Sequence, residues 1–200
     1  MIAIIDYGAG NLQSVKNALD SLKAESIITS DAKEIIKAEK AIFPGVGSFG
    51  DVIRALNDKD LIEPIIKFLE DGKPFLGICL GMQVLFEESE ESPGVEGLSI
   101  FEGKCKKLKA ALKVPQIGWN QLKTQKESKL LEGIKDKSFF YFVHSYYADP
   151  EDKNIVLATT DYGNEFVSAV EKDNVFGLQF HPERSGEVGL KILKNFVELR

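Results

Sequence analysis

Cysteine is scarce in this chain: only Cys79 and Cys105 occur among 200 residues. Two thiols make neither a disulfide framework nor a four-ligand zinc site. Long apolar runs are missing too. None approaches the ~20 residues of a membrane span, so no membrane association is expected. The opening Met1 to Asp6 has no basic n-region, and its apolar stretch is too short for a signal peptide. These absences point to a reduced, cytoplasmic compartment, where a lone cysteine is catalytic or simply buried rather than paired. Positive charge is also in short supply. Lys and Arg total 25 against 31 Asp and Glu, a formal net charge of −6 with a pI near 5.1. A nucleic-acid partner needs a basic face, and none is expected here.

The composition is that of a folded protein, with 44% apolar and 28% charged residues. A disordered chain would lack the apolar surface that offsets chain entropy. A chain this long buries roughly 70% of its unfolded surface, so no staple is needed. Residues 1–200 read as a single domain, with no repeat, linker or low-complexity stretch.

The first half alternates apolar runs with amphipathic stretches. Strands are expected at Ile2 to Ile5, at Ile27-Ile28, at Ala41 to Phe43 (ended by Pro44-Gly45) and from Pro74 to Cys79. Helices are expected over 11–23, 48–57, 60–71 and 80–88. The second half reads as strands at 100–108, 114–122, 139–147, 155–160, 166–171 and 175–180, closed by a helix from Gly186 to Leu199. The fold class is therefore α/β: a mostly parallel central sheet flanked by helices, with antiparallel strands added in the second half.

Gly77-Ile78-Cys79-Leu80-Gly81 is G-x-C-x-G where a strand meets a helix. It is the cysteine counterpart of the G-x-S-x-G elbow that lifts a nucleophile above a sheet edge. The helix N-terminus favours thiolate over thiol, and the Leu80 N–H is a free donor beside the sulfur. A small buried hydrophobe ending a core strand is the alternative for Cys79. A thiolate wants a base. In Gln179-Phe180-His181-Pro182-Glu183 the proline forces extended geometry, which puts His181 and Glu183 on one side. The carboxylate then orients the imidazole, completing nucleophile, base and orienter. His144 has no carboxylate nearby in sequence and reads as structural or substrate-side. Pro44-Gly45-Val46-Gly47 opens at the same carboxyl edge of a parallel sheet, where its backbone N–H groups can face an oxyanion.

Gly8-Ala9-Gly10 suggests a dinucleotide loop, but G-x-G-x-x-G would need glycine where Gln13 stands, and no P-loop pattern occurs. No cofactor and no metal are expected. Lys104, Lys106, Lys107, Lys109 and Lys113 read as a solvated strand face, with a partner's acidic patch as the alternative.

These residues lie in longer segments: I-D-Y-G-A-G-N-L at 5–12, F-P-G-V-G-S-F-G-D at 43–51, G-I-C-L-G-M-Q at 77–83, P-Q-I-G-W-N at 115–120, Y-F-V-H-S-Y at 141–146 and G-L-Q-F-H-P-E-R-S-G at 177–186. With them the chain resembles, over essentially its whole length, the class I (triad) glutamine amidotransferases. Within these it is most similar to the branch that supplies the glutaminase subunit of imidazole glycerol phosphate synthase. Arg184 stands where such proteins often carry lysine. The resemblance implies a flavodoxin-like fold and glutamine hydrolysis through a cysteinyl thioester at Cys79, His181 and Glu183. It implies an oxyanion held by the backbone of Leu80 and of Gly45, Val46 and Gly47, and glutamine held by Gln83, Glu91, Ser145 and Tyr146. It also implies a heterodimer with a (β/α)8-barrel cyclase that takes the ammonia through a tunnel, with Asn11, Trp119 and Tyr141 near the interface. Core packing is the alternative for Trp119. If the 43–47 loop must turn to present its donor, the free subunit is nearly inactive until the partner shifts the loop.

Two other functions remain open at this point. A subunit serving anthranilate, aminodeoxychorismate or pyridoxal phosphate synthesis would keep the same three residues, though the 5–12 and G-W-N segments argue against it. A non-catalytic module on the same fold would have no need of an intact Cys79, His181 and Glu183.

Overall fold

Four apolar residues with no polar interruption, Ile2–Ile5 (β1), are all buried, as expected of a strand covered on both faces. In the computed structural model, which describes residues 1–109 and 112–199, β1 is followed by α1 (Leu12–Ser21), β2 (Ser26–Thr29), α2 (Ala32–Lys37) and β3 (Lys40–Gly45). Helices α3 (Phe49–Asp58) and α4 (Ile62–Glu70) lead to β4 (Phe75–Cys79) and the one-turn α5 (Leu80–Gln83). Then come β5 (Phe86–Ser89), β6 (Phe101–Lys107), β7 (Gln116–Gln121), β8 (Lys123–Thr124), β9 (Phe139–His144) and β10 (Tyr146–Pro150). The chain closes with β11 (Val156–Asp161), β12 (Glu165–Lys172), β13 (Val175–Leu178) and α6 (Gly186–Glu198).

Among the described residues eight strands form one sheet in the order β2-β1-β3-β4-β13-β12-β11-β8. The first five run parallel and the last three antiparallel. One apolar cluster, including Phe43, Phe49, Phe68 and Phe75, packs on one face, and a second, including Phe140, Phe142, Phe180 and Phe196, on the other. Helix α3 buries Phe49, Val52, Ile53 and Leu56 along one stripe. Its first turn is closed by Ser48, whose side chain accepts from the Asp51 N–H. No helix among the described residues is long and apolar enough to cross a membrane.

Several sequence expectations change. Pro44 and Gly45 do not stop β3; they extend it, opposite Ile78 and Cys79 of β4. The expected helix over 80–88 ends after one turn. Its would-be carbonyl acceptors are taken by another segment: Leu98 donates to Val84 O, and Ile100 and Phe101 to Leu85 O. Residues 86–89 therefore become β5, beside β6. The single strand expected over 139–147 breaks at Ser145 into β9, which pairs with β7, and β10, which pairs with β6. The second-half strands thus split among the main sheet, a three-stranded sheet and a two-stranded ribbon. Helix α2 escaped the sequence reading because only Ile35 of its six residues is buried.

The elbow after β4 rests on close backbone contact. A Cβ at Gly81 would sit 1.9 Å from the Phe43 carbonyl oxygen, and one at Gly77 2.5 Å from that of Gly81. Gly81→Ala is therefore expected to lower the unfolding free energy by about 3 kcal/mol, measured by urea unfolding.

Candidate active site

Cys79 ends β4 with φ +56° and ψ −112°, a conformation that L-residues avoid. The sheet and the glycine contacts on either side hold it there. The residue is 8% exposed, and its sulfur opens onto a cavity of about 570 Å³. The cavity also receives Leu80 and Gln83 from α5, Val46 and Gly47 from the loop after β3, and Asn11 from the start of α1. From the second half come Val143, His144, Ser145 and Tyr146, and His181 with Arg184. Glu91 joins from the loop after β5.

His181 follows β13, the strand next to β4, so the sheet order itself brings the imidazole beside the thiol. Its Nδ1 lies 2.8 Å from Glu183 Oε1, inside the 3₁₀ turn Pro182–Arg184. Both side chains are buried. Nε2, the other ring nitrogen, has no hydrogen-bond partner among the described residues. Burial works against the imidazolium, but the Cys79 sulfur and the Glu183 carboxylate beside it more than offset that and push the ring up to about 10. A ring protonated at Nε2 can give a proton to a leaving group, and the deprotonated ring can take one from water.

His144 is its opposite. Burial pushes it down to about 4, so it is neutral. Nδ1 lies 2.9 Å from the Tyr146 carbonyl, which can only accept, so Nδ1 carries the proton. Nε2 lies 3.1 Å from Gln116 Oε1; with Nδ1 protonated it is an acceptor, so this contact is a hydrogen bond with the amide turned to present its NH₂. Both nitrogens are committed, and the ring is structural.

The backbone donors are not all ready. Gly45 lies within β3, paired with Cys79, and does not line the cavity. The Val46 N–H donates to the Tyr7 hydroxyl at 2.8 Å, and that hydroxyl donates to the Val46 carbonyl at 3.0 Å. The Val46 peptide is therefore held by Tyr7. Gly47, at φ +99°, lines the cavity, as does Leu80, which carries the first N–H of α5.

Gln83, Glu91, Ser145 and Tyr146 all line the cavity, with several of their polar atoms already engaged. Glu91 Oε2 accepts from the Phe49 N–H at the start of α3 (2.8 Å), and the Ser145 carbonyl accepts from Leu108 N (2.8 Å). Gln83 Nε2 donates to the Tyr146 carbonyl (2.8 Å) and to Gln179 Oε1 (2.9 Å). Trp119 is 56% exposed on β7, so core packing does not explain it. It stands opposite Tyr141 of β9, and the Arg184 guanidinium lies 4.4 Å over the Tyr141 ring. Of the basic cluster, Lys104 pairs with Glu88 and Lys106 with Asp149.

Sequence reasoning did not single out Tyr7 or Gln179. Tyr7 gives no local signal, because its partner lies 39 residues away. Gln179 does give one: it is a polar residue in an apolar run, two before His181 and so on the same side.

The fold is α/β, and an elbow cysteine beside a buried His–Glu pair is an arrangement suited to acyl transfer from an amide. The family model described as glutamine amidotransferase class-I matches residues 3–199, and the chain belongs to that family. It is 58% identical to the imidazole glycerol phosphate synthase subunit HisH of Pyrococcus furiosus over 99% of this chain and 98% of that one. It is 52% identical to the HisH subunit of Methanocaldococcus jannaschii over 100% of each. Among solved structures it is similar to a glutamine amidotransferase with a TM-score of 0.78 at 19% identity, covering 98% of this chain and 97% of that one. PurLQS from Thermotoga maritima gives 0.72 at 22%, covering 98% and 96%. At such identities these two structures speak for the fold alone.

A folded-state pKa raised from 6.5 to about 10 means the native ring holds its proton more tightly than the unfolded one. That contribution to stability is complete below pH 6.5 and is lost as pH rises through about 10. The stability of the wild type relative to His181→Gln is expected to decline over that window, measured by urea unfolding at several pH values.

Proposed function

We propose that this chain is the glutaminase subunit of an imidazole glycerol phosphate synthase in histidine biosynthesis, acting as one amidotransferase domain over residues 1–200. The observation that carries the reading is Cys79 on its elbow, sharing a cavity with His181, whose ring is paired with Glu183. The HisH relatives at 52–58% identity support the choice of synthase.

In this reading the Cys79 thiolate attacks the side-chain carbonyl carbon of glutamine, and the negative charge moves onto the carbonyl oxygen. The backbone N–H groups of Leu80 and the 45–47 loop stabilise that oxyanion. His181, oriented by Glu183, gives its Nε2 proton to the departing nitrogen, and ammonia leaves a thioester. The neutral ring then takes a proton from water, the hydroxide adds to the thioester, and glutamate is released as the thiolate returns. Gln83, Glu91 and the backbone at Ser145 and Tyr146 hold the substrate. The ammonia passes to a (β/α)8-barrel cyclase. The reaction belongs in the cytoplasm, where Cys79 and Cys105 stay as the free thiols they are here.

The Tyr7 contact bears on activity without a partner. While Val46 is held by that hydroxyl, its N–H is withheld from the oxyanion, and one missing donor typically costs ~10²–10³ in rate. Cyclase binding shifts the loop to a form with the donor in place.

The decisive assay is ammonia release from glutamine with and without a candidate cyclase and its nucleotide ligand. Release that rises about a hundredfold with cyclase is expected, and equal rates would remove the switch. Cys79→Ala is expected to abolish release while keeping cyclase binding; retained release would end the reading. Ile117, Trp119 and Phe139 are all more than half exposed on the β7–β9 ribbon. Trp119→Ala is therefore expected to weaken cyclase capture at least tenfold and to change stability by under about 0.5 kcal/mol, measured by titration calorimetry and urea unfolding.

A further inference from the structure

We propose that Gln179 is a positioning residue for the nucleophile, its side-chain amide donating the hydrogen bond that holds the Cys79 sulfur and favours its ionised form. The inference rests on Cys79 being the nucleophile, as argued above.

Gln179 is wholly buried. An amide in that position needs a partner for each of its ends, and it has them. Oε1 accepts from Gln83 Nε2 at 2.9 Å, and Nε2 lies 3.6 Å from Cys79 Sγ, within reach of a sulfur acceptor. Oxygen and nitrogen of an amide are interchangeable in shape, so the direction of this chain has to be fixed by chemistry. It is fixed at its far end. The Tyr146 carbonyl can only accept, which turns the Gln83 NH₂ toward it at 2.8 Å. The second hydrogen of that NH₂ goes to Gln179, which must therefore present its oxygen to Gln83 and its NH₂ to the sulfur. A backbone carbonyl thus sets, through two side chains, the polarity felt by the thiol.

Besides the His181 ring, the sulfur meets the Val143 carbonyl at 3.8 Å, to which the thiol S–H donates. Once the proton is gone, that carbonyl offers a thiolate nothing, whereas the Gln179 N–H bond strengthens, because hydrogen bonds to ionised acceptors are roughly twice as strong as neutral ones. The chain also ties together the two elements that carry the chemistry. Gln83 lies four residues after Cys79, and Gln179 two before His181. Gln179 is itself anchored by its backbone N–H to the Ser168 carbonyl at 2.9 Å.

The test compares wild type with Gln179→Met, which keeps the volume and removes the donor, and with Gln179→Glu, which puts a carboxylate against the sulfur. The readout is the pH dependence of Cys79 alkylation by iodoacetamide, alongside kcat and KM for glutamine in the complex with cyclase. Both variants are expected to need a higher pH for half-maximal alkylation, by about one unit, and to lose about ten- to a hundredfold in kcat with KM within a few-fold. A Gln179→Met protein that folds, binds cyclase and keeps the wild-type alkylation profile would overturn the proposal. Should the variants fail to fold, the side-chain amide proton of Gln179 in the ¹⁵N-labelled wild type decides. A shift on Cys79→Ala supports the contact, and an unmoved resonance refutes it. Alkylation needs no glutamine, so absence of ammonia release by the wild type would count against the proposed function and leave this test standing.

Discussion

The site depends on one close approach. Gly81 at the start of α5 lies so near β3 that any side chain there would collide with the Phe43 carbonyl, and Gly45 and Gly77 leave equally little room. This contact lets the chain turn from β4 into α5 within one residue, and that residue is Cys79. The cost of its positive φ is of order 1–3 kcal/mol and is borne by the surrounding sheet. Because β3 and β4 pair through Gly45 and Cys79, the loop after β3 begins beside the sulfur. Nucleophile and candidate oxyanion donors are thus parts of a single backbone arrangement.

The two histidines show how environment divides one residue type into two roles. Both are buried, and burial disfavours the charged ring in each. His181 has a sulfur and a carboxylate beside it and keeps its proton; His144 has a backbone carbonyl and an amide and does not. A positive His181 also disfavours charge on His144 nearby.

Much of this was legible in the sequence because it is local. The elbow announces itself through two glycines flanking a cysteine, and the His181–Glu183 pair through a proline that fixes extended geometry between them. The parallel core could be read from unbroken apolar runs such as Ile2 to Ile5. What escaped is decided by partners far along the chain. The helix expected over 80–88 failed because residues 98–101 claim its carbonyls. The strand expected over 139–147 was divided because its two halves meet β7 and β6 separately. The state of Val46 depends on Tyr7, whose role no neighbouring residue hints at.

The β7–β9 ribbon lies outside the main sheet, which leaves its outward face uncommitted. Register puts Ile117 opposite Val143 and Trp119 opposite Tyr141 on that face, while Phe140 and Phe142 turn into the core. An apolar face of this kind on a folded domain marks a surface that something covers. Tyr141 joins this face to the segment around His181. Its carbonyl accepts from the His181 N–H at 2.9 Å, and its own N–H donates to Ser185 Oγ at 3.0 Å. That hydroxyl in turn donates to the His181 carbonyl at 2.6 Å. The His181 backbone is clamped to the ribbon through Tyr141, with Arg184 stacked on the tyrosine ring. A partner seated on the ribbon would therefore bear on the His181 backbone, while the Val46 peptide is restrained by a different contact. Two separate restraints thus border the one cavity, the Tyr141 clamp on the His181 turn and the Tyr7 contact on Val46.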